Sequence, residues 1–546
     1  SIDHHLLLVV EDLHWADVAT LALIRTLAST LRGSRLTMVV TYRSDDVDRF
    51  HPLRPLVAEF ERSRTIIGIG LDRLSPDQAA DQAARIRVPG PGLSIDEIAQ
   101  RSGGIPFLVE ELVAVGCGPL PETLHDLVVA RYERLSAPAR QLVREVAAGG
   151  SEVDHDLLLR ITSLTAQEVD AALREAIDAR VLMADGDGYA FRHALTQEAL
   201  HGDLLASERI RLHGRYAQAL EDRADSSRPA PASEIAHHWR LAREPRRALA
   251  AAAVAIGEAE CEGATASIPE LVDAISELWP LVPDAEEVAG CTLPTYLVRG
   301  VRAHLRLANY HRGLRAAEEA LALCPDSHRH TRAELLWLLF ALQVNSSGSR
   351  CAADPRLLDE AGALLEASDR PASRALLARV LAARAVMGLA EDPLGLVGRA
   401  VAMAREWGTD DDLAYCLRQH AEVLVDVCDL TGSLETLACA GDLGMHPATR
   451  FYFLTTELSV LNVLGRYADA IEVGERALAA TRSAASERVP ASFVGAMLIE
   501  SHLLAGTPKA ALDLAPRVVA QLPHRDWRAH VACTLAGHHI WNDEDD

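Results

Sequence analysis

Five consecutive apolar residues, Leu6 to Val10, run straight into Glu11 and Asp12. An unbroken apolar run closed by acids reads as a fully buried strand that carries carboxylates to the end of a sheet. The next segment supports a parallel sheet. Asp17 is placed to cap a helix over residues 19–31, whose apolar positions Leu21, Ile24, Leu27, Ala28 and Leu31 recur at helical spacing, and Gly33 ends it. Residues 36–43 (LTMVVTYR) form a second apolar run with a polar tip. Strand, helix and strand at this spacing make a βαβ unit. Ligands of such sheets sit at the carboxyl ends of the strands, where Glu11, Asp12 and Arg43 converge. The plainer alternatives are an ordinary buried strand before an acidic helix cap and, for Arg43, a surface ion pair with Asp45 or Asp46.

Downstream, residues 66–71 read as a third short strand, and 71–75 (LDRLS) open a helical lid. The run RSGGIPFLVEEL at 101–112 then combines a Gly-Gly pair, which permits close backbone approach, with Pro106, which fixes φ at a helix start.

Three of these segments in this order carry a resemblance. The sequence VEDLHWAD at 10–17 resembles the Walker B segment of the STAND class of signal-transducing NTPases, which form the front end of large ATP-binding LuxR-type regulators. VVTYR at 39–43 is similar to their sensor strand, and GGIP at 103–106 to their G-x-P motif. The resemblance implies that Glu11 and Asp12 are the Mg²⁺-binding and water-polarising pair. It implies that Arg43 reads the γ-phosphate, a task suited to a planar, always-charged guanidinium. Gly104 and Pro106 would pack on the adenine ring. In FRHALTQEAL (191–200), His193 would contact the β-phosphate of ADP; its alternative is a histidine capping a helix beside a hairpin. The implied cofactors are ATP or ADP with Mg²⁺. No G-x-x-x-x-G-K-[ST] phosphate loop occurs; the nearest approach, Gly506-Thr507-Pro508-Lys509, lacks the first glycine. In the family that loop precedes the Walker B strand, so the sequence looks like a fragment. As it stands it is expected to bind nucleotide poorly and to hydrolyse it negligibly.

Between 119 and 225, helical patterns at 120–135, 138–148, 154–160 and 166–179 precede two short strands, 181–184 and 189–192, around the turn Asp185-Gly186-Asp187-Gly188. Helices followed by a hairpin read as a winged helix, and without a basic recognition helix it reads as a regulatory lid. Residues 224–232 (ADSSRPAPA) read as a hinge or exposed loop. From there to 546 no strand pattern appears, and turn-plus-helix segments recur at about 40 residues, longer than the ~34 of tetratricopeptide repeats. The turns at 307–314, 464–470 and 504–511 lead into helices at 315–323, 471–480 and 512–520, and further second helices fall near 357–366, 397–405 and 434–443. LGRYADAIEVGERALAA (464–480) is the segment most like a tetratricopeptide repeat. Such pairs bury their apolar faces by stacking into a solenoid with a concave partner surface.

Composition agrees: 49% of the 546 residues are hydrophobic and 4% aromatic, which suits stacked helices. Lys+Arg 54 against Asp+Glu 78 gives a net charge of −24, which argues against nucleic-acid contact by this stretch. Nine scattered cysteines without a C-x-x-C pair read as free thiols of a reducing cytoplasm. The pairs His4-His5, His237-His238 and His538-His539 lack partners at metal-ligand spacing. No apolar run reaches ~18 residues, so no membrane span is expected.

The expected fold class is multidomain and mainly α: a partial α/β P-loop NTPase domain with lid (1–118), a winged-helix-like regulatory domain (119–225) and an α-solenoid of tetratricopeptide-like helix pairs (226–546). The expected function is the central part of an ATP/ADP-switched LuxR-type transcriptional regulator. Its partners would be an inducer (small molecule or protein) on the arm, further copies of itself on activation, and DNA only through a domain not in this sequence. The alternatives are the same module serving a cyclase or kinase, and a non-catalytic repeat scaffold with a degenerate nucleotide domain.

Overall fold

A computed structural model describes residues 6–30, 36–43, 47, 51–61, 66–86, 95, 98, 102, 104–115, 132–150, 152–192, 194–223, 230–307, 309–347, 352–441, 443–445, 447–482, 488–521 and 531–536. The protein is multidomain and mainly helical, with five short strands among the described residues. The chain divides into two compact units: residues 1–58, 259–276 and 291–546 in the first, 59–258 and 277–290 in the second.

The first unit holds the βαβ element. Strands β1 (Leu6–Val10) and β2 (Leu36–Val40) pair in parallel, Leu6 opposite Leu36 through Val10 opposite Val40. The helix Val18–Thr30 connects them. Asp17 caps it as its position suggested: its Oδ1 accepts the N–H of Thr20 at 2.6 Å. Leu21 and Ile24 on this helix are buried.

The burial expected of β1 is not found. Leu6, Leu7 and Val9 are 58, 61 and 51% exposed. The ladder has two strands among the described residues, so among these β1 has no second neighbour. The expected strand at 66–71 is also absent: that stretch, in the second unit, is irregular, with Ile67, Ile69 and Leu71 exposed. Alternating apolar residues supply propensity, but a strand needs a partner for its N–H and C=O groups, and none lies beside this one among the described residues.

The rest of the first unit is a stack of antiparallel helix pairs. Their first helices are Leu293–Arg306, Arg329–Ser347, Pro371–Val386, Asp410–Asp426, Pro447–Val463 and Arg488–Leu504. Their second helices are Tyr310–Leu323, Arg356–Leu365, Pro393–Trp407, Leu430–Ala438, Tyr467–Arg482 and Pro508–Gln521. The starts advance by about 40 residues, the period read from sequence. Predicted second helices at 357–366 and 397–405 fall on Arg356–Leu365 and Pro393–Trp407, while 434–443 overshoots the end of Leu430–Ala438. Arg329–Ser347 and Pro371–Val386 are apolar nearly all round because each is packed by neighbours on several sides. Their Leu335, Leu338, Leu342, Ala378 and Val380 form a continuous core with Leu358 and Leu365 of the intervening helix. Small residues set the spacing: a Cβ on Gly474 would lie 2.5 Å from Leu498 Cδ2.

In the second unit, helices Ala137–Gly149, His155–Ile161 and Ala166–Asp178 accompany an antiparallel sheet of order β3–β5–β4. The predicted hairpin is β4 (Leu182–Asp185) and β5 (Gly188–Phe191). β3 (Glu152–Asp154) pairs the other side of β5 and was not legible, since three residues show no alternation. The buried hydroxyl of Tyr216 donates to the Glu145 carbonyl at 2.8 Å, tying helix Ala206–Glu221 to Ala137–Gly149. Helices Ala232–Leu241 and Pro245–Glu262 follow. Most of the helix expected at 120–135, and residues 224–229 of the expected hinge, lie outside the described residues. Among the described residues no helix is long and apolar enough to cross a membrane.

Candidate functional site

Because β1 and β2 run parallel and in register, they end together, and Glu11 and Asp12 leave one strand beside Thr41, Tyr42 and Arg43 leaving the other. Three hydrogen bonds carry the pairing past the strand ends. Thr41 N–H donates to Val10 O at 3.0 Å, Leu13 N–H to Thr41 O at 2.8 Å, and Asp12 N–H to Thr41 Oγ1 at 3.0 Å. Asp12 takes a left-handed backbone conformation, φ 53° and ψ 44°. Asp tolerates that region better than most residues, at a cost of about 1 kcal/mol or more. The chain then closes one 3₁₀ turn, Leu13–Trp15, with Leu13 and His14 buried and Trp15 exposed.

His14 ties the two strand ends together. Its Nδ1 accepts the backbone N–H of Arg43 at 3.4 Å and lies 3.9 Å from Asp12 Oδ1. An accepting Nδ1 places the proton of a neutral imidazole on Nε2. Thr41 and His14 are therefore positioning residues for the acid pair, and sequence reading did not single them out as such. Their signal was present: a hydroxyl just past one strand and a histidine inside the VEDLHWAD segment.

Glu11 and Asp12 are carboxylates at an open strand end, with the Asp12 side chain 42% exposed. Among the described residues no cluster of three or more His, Cys, Asp or Glu side chains is arranged to hold a metal ion. A pair of hard oxygen donors nevertheless suits Mg²⁺, which commonly takes one or two protein carboxylates and completes its octahedron with water and phosphate oxygens. Arg43, part-buried beside the pair, adds a permanent positive charge at the same end.

Gly104 and Pro106 belong to the second unit. Gly104 has φ +77°, and a Cβ there would run into the Leu74 carbonyl oxygen, whose residue donates its N–H to Gly104 O at 2.7 Å. The sequence reading of close backbone approach is accurate here. Pro106 opens the helix Pro106–Val115 and is exposed, and Gln82 Nε2 donates to its carbonyl at 3.2 Å. His193 lies outside the described residues.

The second unit also gathers His201, His213, His237 and His238, which sequence spacing had left unconnected. His201 Nε2 lies 3.2 Å from His213 Nε2, and His213 Nδ1 lies 2.8 Å from His238 Nδ1. They come from three helices, so no local pattern announces them. At these separations each nitrogen pair shares one proton, the geometry of a hydrogen-bonded chain of neutral imidazoles.

No family model matches the chain. Among curated proteins, an uncharacterised protein of Rhizobium meliloti (strain 1021) is 24% identical over 253 residues, covering 42% of this chain and 24% of that protein. The chain thus spans about a quarter of the length of the curated relative it matches. Among solved structures, the STAND protein with a tetratricopeptide repeat sensor from Pyrococcus horikoshii is 11% identical with a TM-score of 0.43, covering 99% of this chain and 78% of that one. A Rap protein complexed with Competence and Sporulation Factor is 10% identical with a TM-score of 0.26, covering 77% and 98%. Both scores are below the level at which a shared overall fold can be argued.

Proposed function

We propose that this chain is the central part of an ATP/ADP-switched signalling regulator of the STAND type, whose output in a LuxR-type protein is control of transcription. The observation that carries the reading is the in-register pair β1–β2, which ends Glu11, Asp12 and Arg43 at one edge of a βαβ unit. In this reading Glu11 and Asp12 would hold Mg²⁺, which when bound would supply positive charge against the nucleotide phosphates. Thr41 fixes the Asp12 backbone so that its carboxylate keeps one direction. Arg43 offers guanidinium N–H groups to the terminal phosphate and so separates triphosphate from diphosphate. Through His14 the positions of Arg43 and the acid pair are linked, so a change at one strand end is felt at the other. Gly104 and Pro106 are assigned to the adenine ring and His193 to the β-phosphate, on the resemblance of their segments alone. The helix-pair arm receives an inducer, small molecule or protein, and the ATP state favours self-association. Turnover is a reset of the switch, in a cytoplasmic protein whose DNA contact is made by another domain.

The test is nucleotide-dependent self-association of the full-length protein, followed by light scattering with ATP·Mg²⁺ and with ADP·Mg²⁺. Arg43→Ala and the double change Glu11→Ala/Asp12→Ala are expected to abolish the difference between the two nucleotides. Unchanged nucleotide dependence in both variants would refute the assignment. No nucleotide response in the unaltered protein would favour the scaffold reading. A cyclase or kinase output with an intact switch would keep the site and replace the transcriptional role.

A further inference from the structure

A cleft of about 630 Å³ opens in the second unit among the helices His155–Ile161, Ala206–Glu221, Ala232–Leu241 and Pro245–Glu262. Its charged lining is four arginines, Arg160, Arg211, Arg215 and Arg247, with Asp222, and two further carboxylates, Glu221 and Glu145, engage Arg247 and Arg215 from behind the lining. In a chain of net charge −24 this is a small local excess of positive charge, carried by Arg160 and Arg211. Arg211 and Arg215 sit one turn apart on a single helix face.

Two of the four are fixed in place. Arg247 stacks its guanidinium 3.9 Å over the Trp239 ring and donates to Gln218 Oε1 at 2.8 Å and Glu221 Oε2 at 3.0 Å. Glu221 is itself held by Trp239 Nε1 at 2.6 Å. Arg215 donates to the Ile161 carbonyl at 3.2 Å and lies 3.8 Å from Glu145. Arg160 and Arg211 have no hydrogen-bond or ion-pair partner among the described residues, and both are exposed at the rim.

With Arg247 and Arg215 engaged by Glu221 and Glu145, Arg160 and Arg211 are the cations at this opening left to pair with an anion. Guanidinium forks pair phosphate oxygens two at a time, and pre-fixed forks lose little freedom on binding. The volume is that of a small-molecule site. Trp239 is buried and its face is covered by Arg247, so the cleft presents charge and no free aromatic platform for a base. A long polyanion would also meet the repulsion of the chain's net charge beyond the cleft.

We propose that this cleft binds a small ligand carrying two or more phosphate groups, recognised through its phosphates by Arg160, Arg211, Arg215 and Arg247. The site lies in a different unit from Glu11, Asp12 and Arg43 and does not depend on the nucleotide reading.

The test is isothermal titration of the full chain with orthophosphate, pyrophosphate and tripolyphosphate in Mg²⁺-free buffer at two salt concentrations. The expected result is one saturable site per chain, tighter with each added phosphate and weaker at high salt. Arg160→Ala/Arg211→Ala is expected to weaken pyrophosphate at least tenfold. Arg246→Ala, at an arginine engaged with Asp284, is expected to leave it unchanged. Should the double alanine variant not fold, Arg211→Lys keeps the charge, removes the fork, and is expected to weaken binding severalfold. Absence of saturable binding, or full affinity in the folded Arg160/Arg211 variants, would overturn the proposal. So would loss of binding in Arg43→Ala alone, or duplex DNA binding without any small-polyphosphate binding.

Discussion

Acid should weaken the second unit through its histidine cluster. His213 and His238 are 2 and 4% exposed, with their Nδ1 atoms 2.8 Å apart, and the Tyr216 ring is stacked on His238. The charged groups acting on the four histidines are Arg209 and Arg240, both cations, together with the histidines themselves. Burial, reinforced by mutual repulsion, pushes His213 down to about 3 and His238 to about 4, and lowers His201 and His237. These groups bind protons more readily in the unfolded chain, whose histidines titrate near 6.5. Stability is therefore full above about pH 6.5 and falls as pH drops through the window down to the folded values.

At pH 5 an unfolded histidine is almost wholly protonated while folded His213 is neutral, a difference of about 2 kcal/mol, and up to about 4 kcal/mol for His213 with His238. The perturbation is His213→Gln, which keeps neutral hydrogen-bonding capacity and removes the titration. Urea unfolding at pH 8 and pH 5 measures it. The variant is expected to be less stable than the unaltered chain at pH 8 by about 1 kcal/mol, through poorer hydrogen bonds. Between pH 8 and 5 it should lose about 2 kcal/mol less than the unaltered chain. Comparing the two cancels the general effect of titrating a chain of charge −24. Parallel pH dependence in both proteins would refute the cluster as the source.

Two further outcomes follow from single contacts. Gly104→Ala places a Cβ at a left-handed position against the Leu74 carbonyl, and should cost about 1–2 kcal/mol or more, read as a lower local melting temperature by hydrogen exchange over Pro106–Val115. Arg379 pairs with Asp412, whose burial opposes ionisation but whose carboxyl the Arg379 charge and Thr409 hydrogen bonds hold below the usual range, and its guanidinium lies 5.4 Å from the Trp337 ring centroid. Arg379→Ala leaves that largely buried carboxylate without its cation and should destabilise the solenoid by about 3 kcal/mol, seen in its denaturant midpoint.

The βαβ unit and the helix pairs were legible because each rests on a local pattern: apolar runs ending in polar tips, and small residues recurring at a forty-residue period. The capping role of Asp17 and the close approach at Gly104 were legible because single residue types answer single backbone needs. What could not be read depended on neighbours. Leu6, Leu7 and Val9 have the composition of a buried strand, and Ile67, Ile69 and Leu71 the alternation of a half-buried one, but whether such residues are covered depends on what packs against them. The three residues of β3 were too few for a pattern. His201, His213 and His238, like Arg160, Arg211 and Arg247, come together from separate helices, and no spacing within one helix reveals them. Of the candidate site, Glu11, Asp12 and Arg43 were placed together by the parallel register, whereas Thr41 and His14, which hold them, emerged from the hydrogen bonds.

The most direct measurement is the binding of Mn²⁺, a paramagnetic substitute for Mg²⁺, to the full-length protein with ATP, followed by electron paramagnetic resonance. A bound Mn²⁺ signal is expected that requires nucleotide, is lost in Glu11→Gln/Asp12→Asn, and weakens in Thr41→Val, where the Asp12 N–H loses its acceptor. A Mn²⁺–nucleotide complex held with unchanged affinity when both carboxylates are neutralised would contradict it.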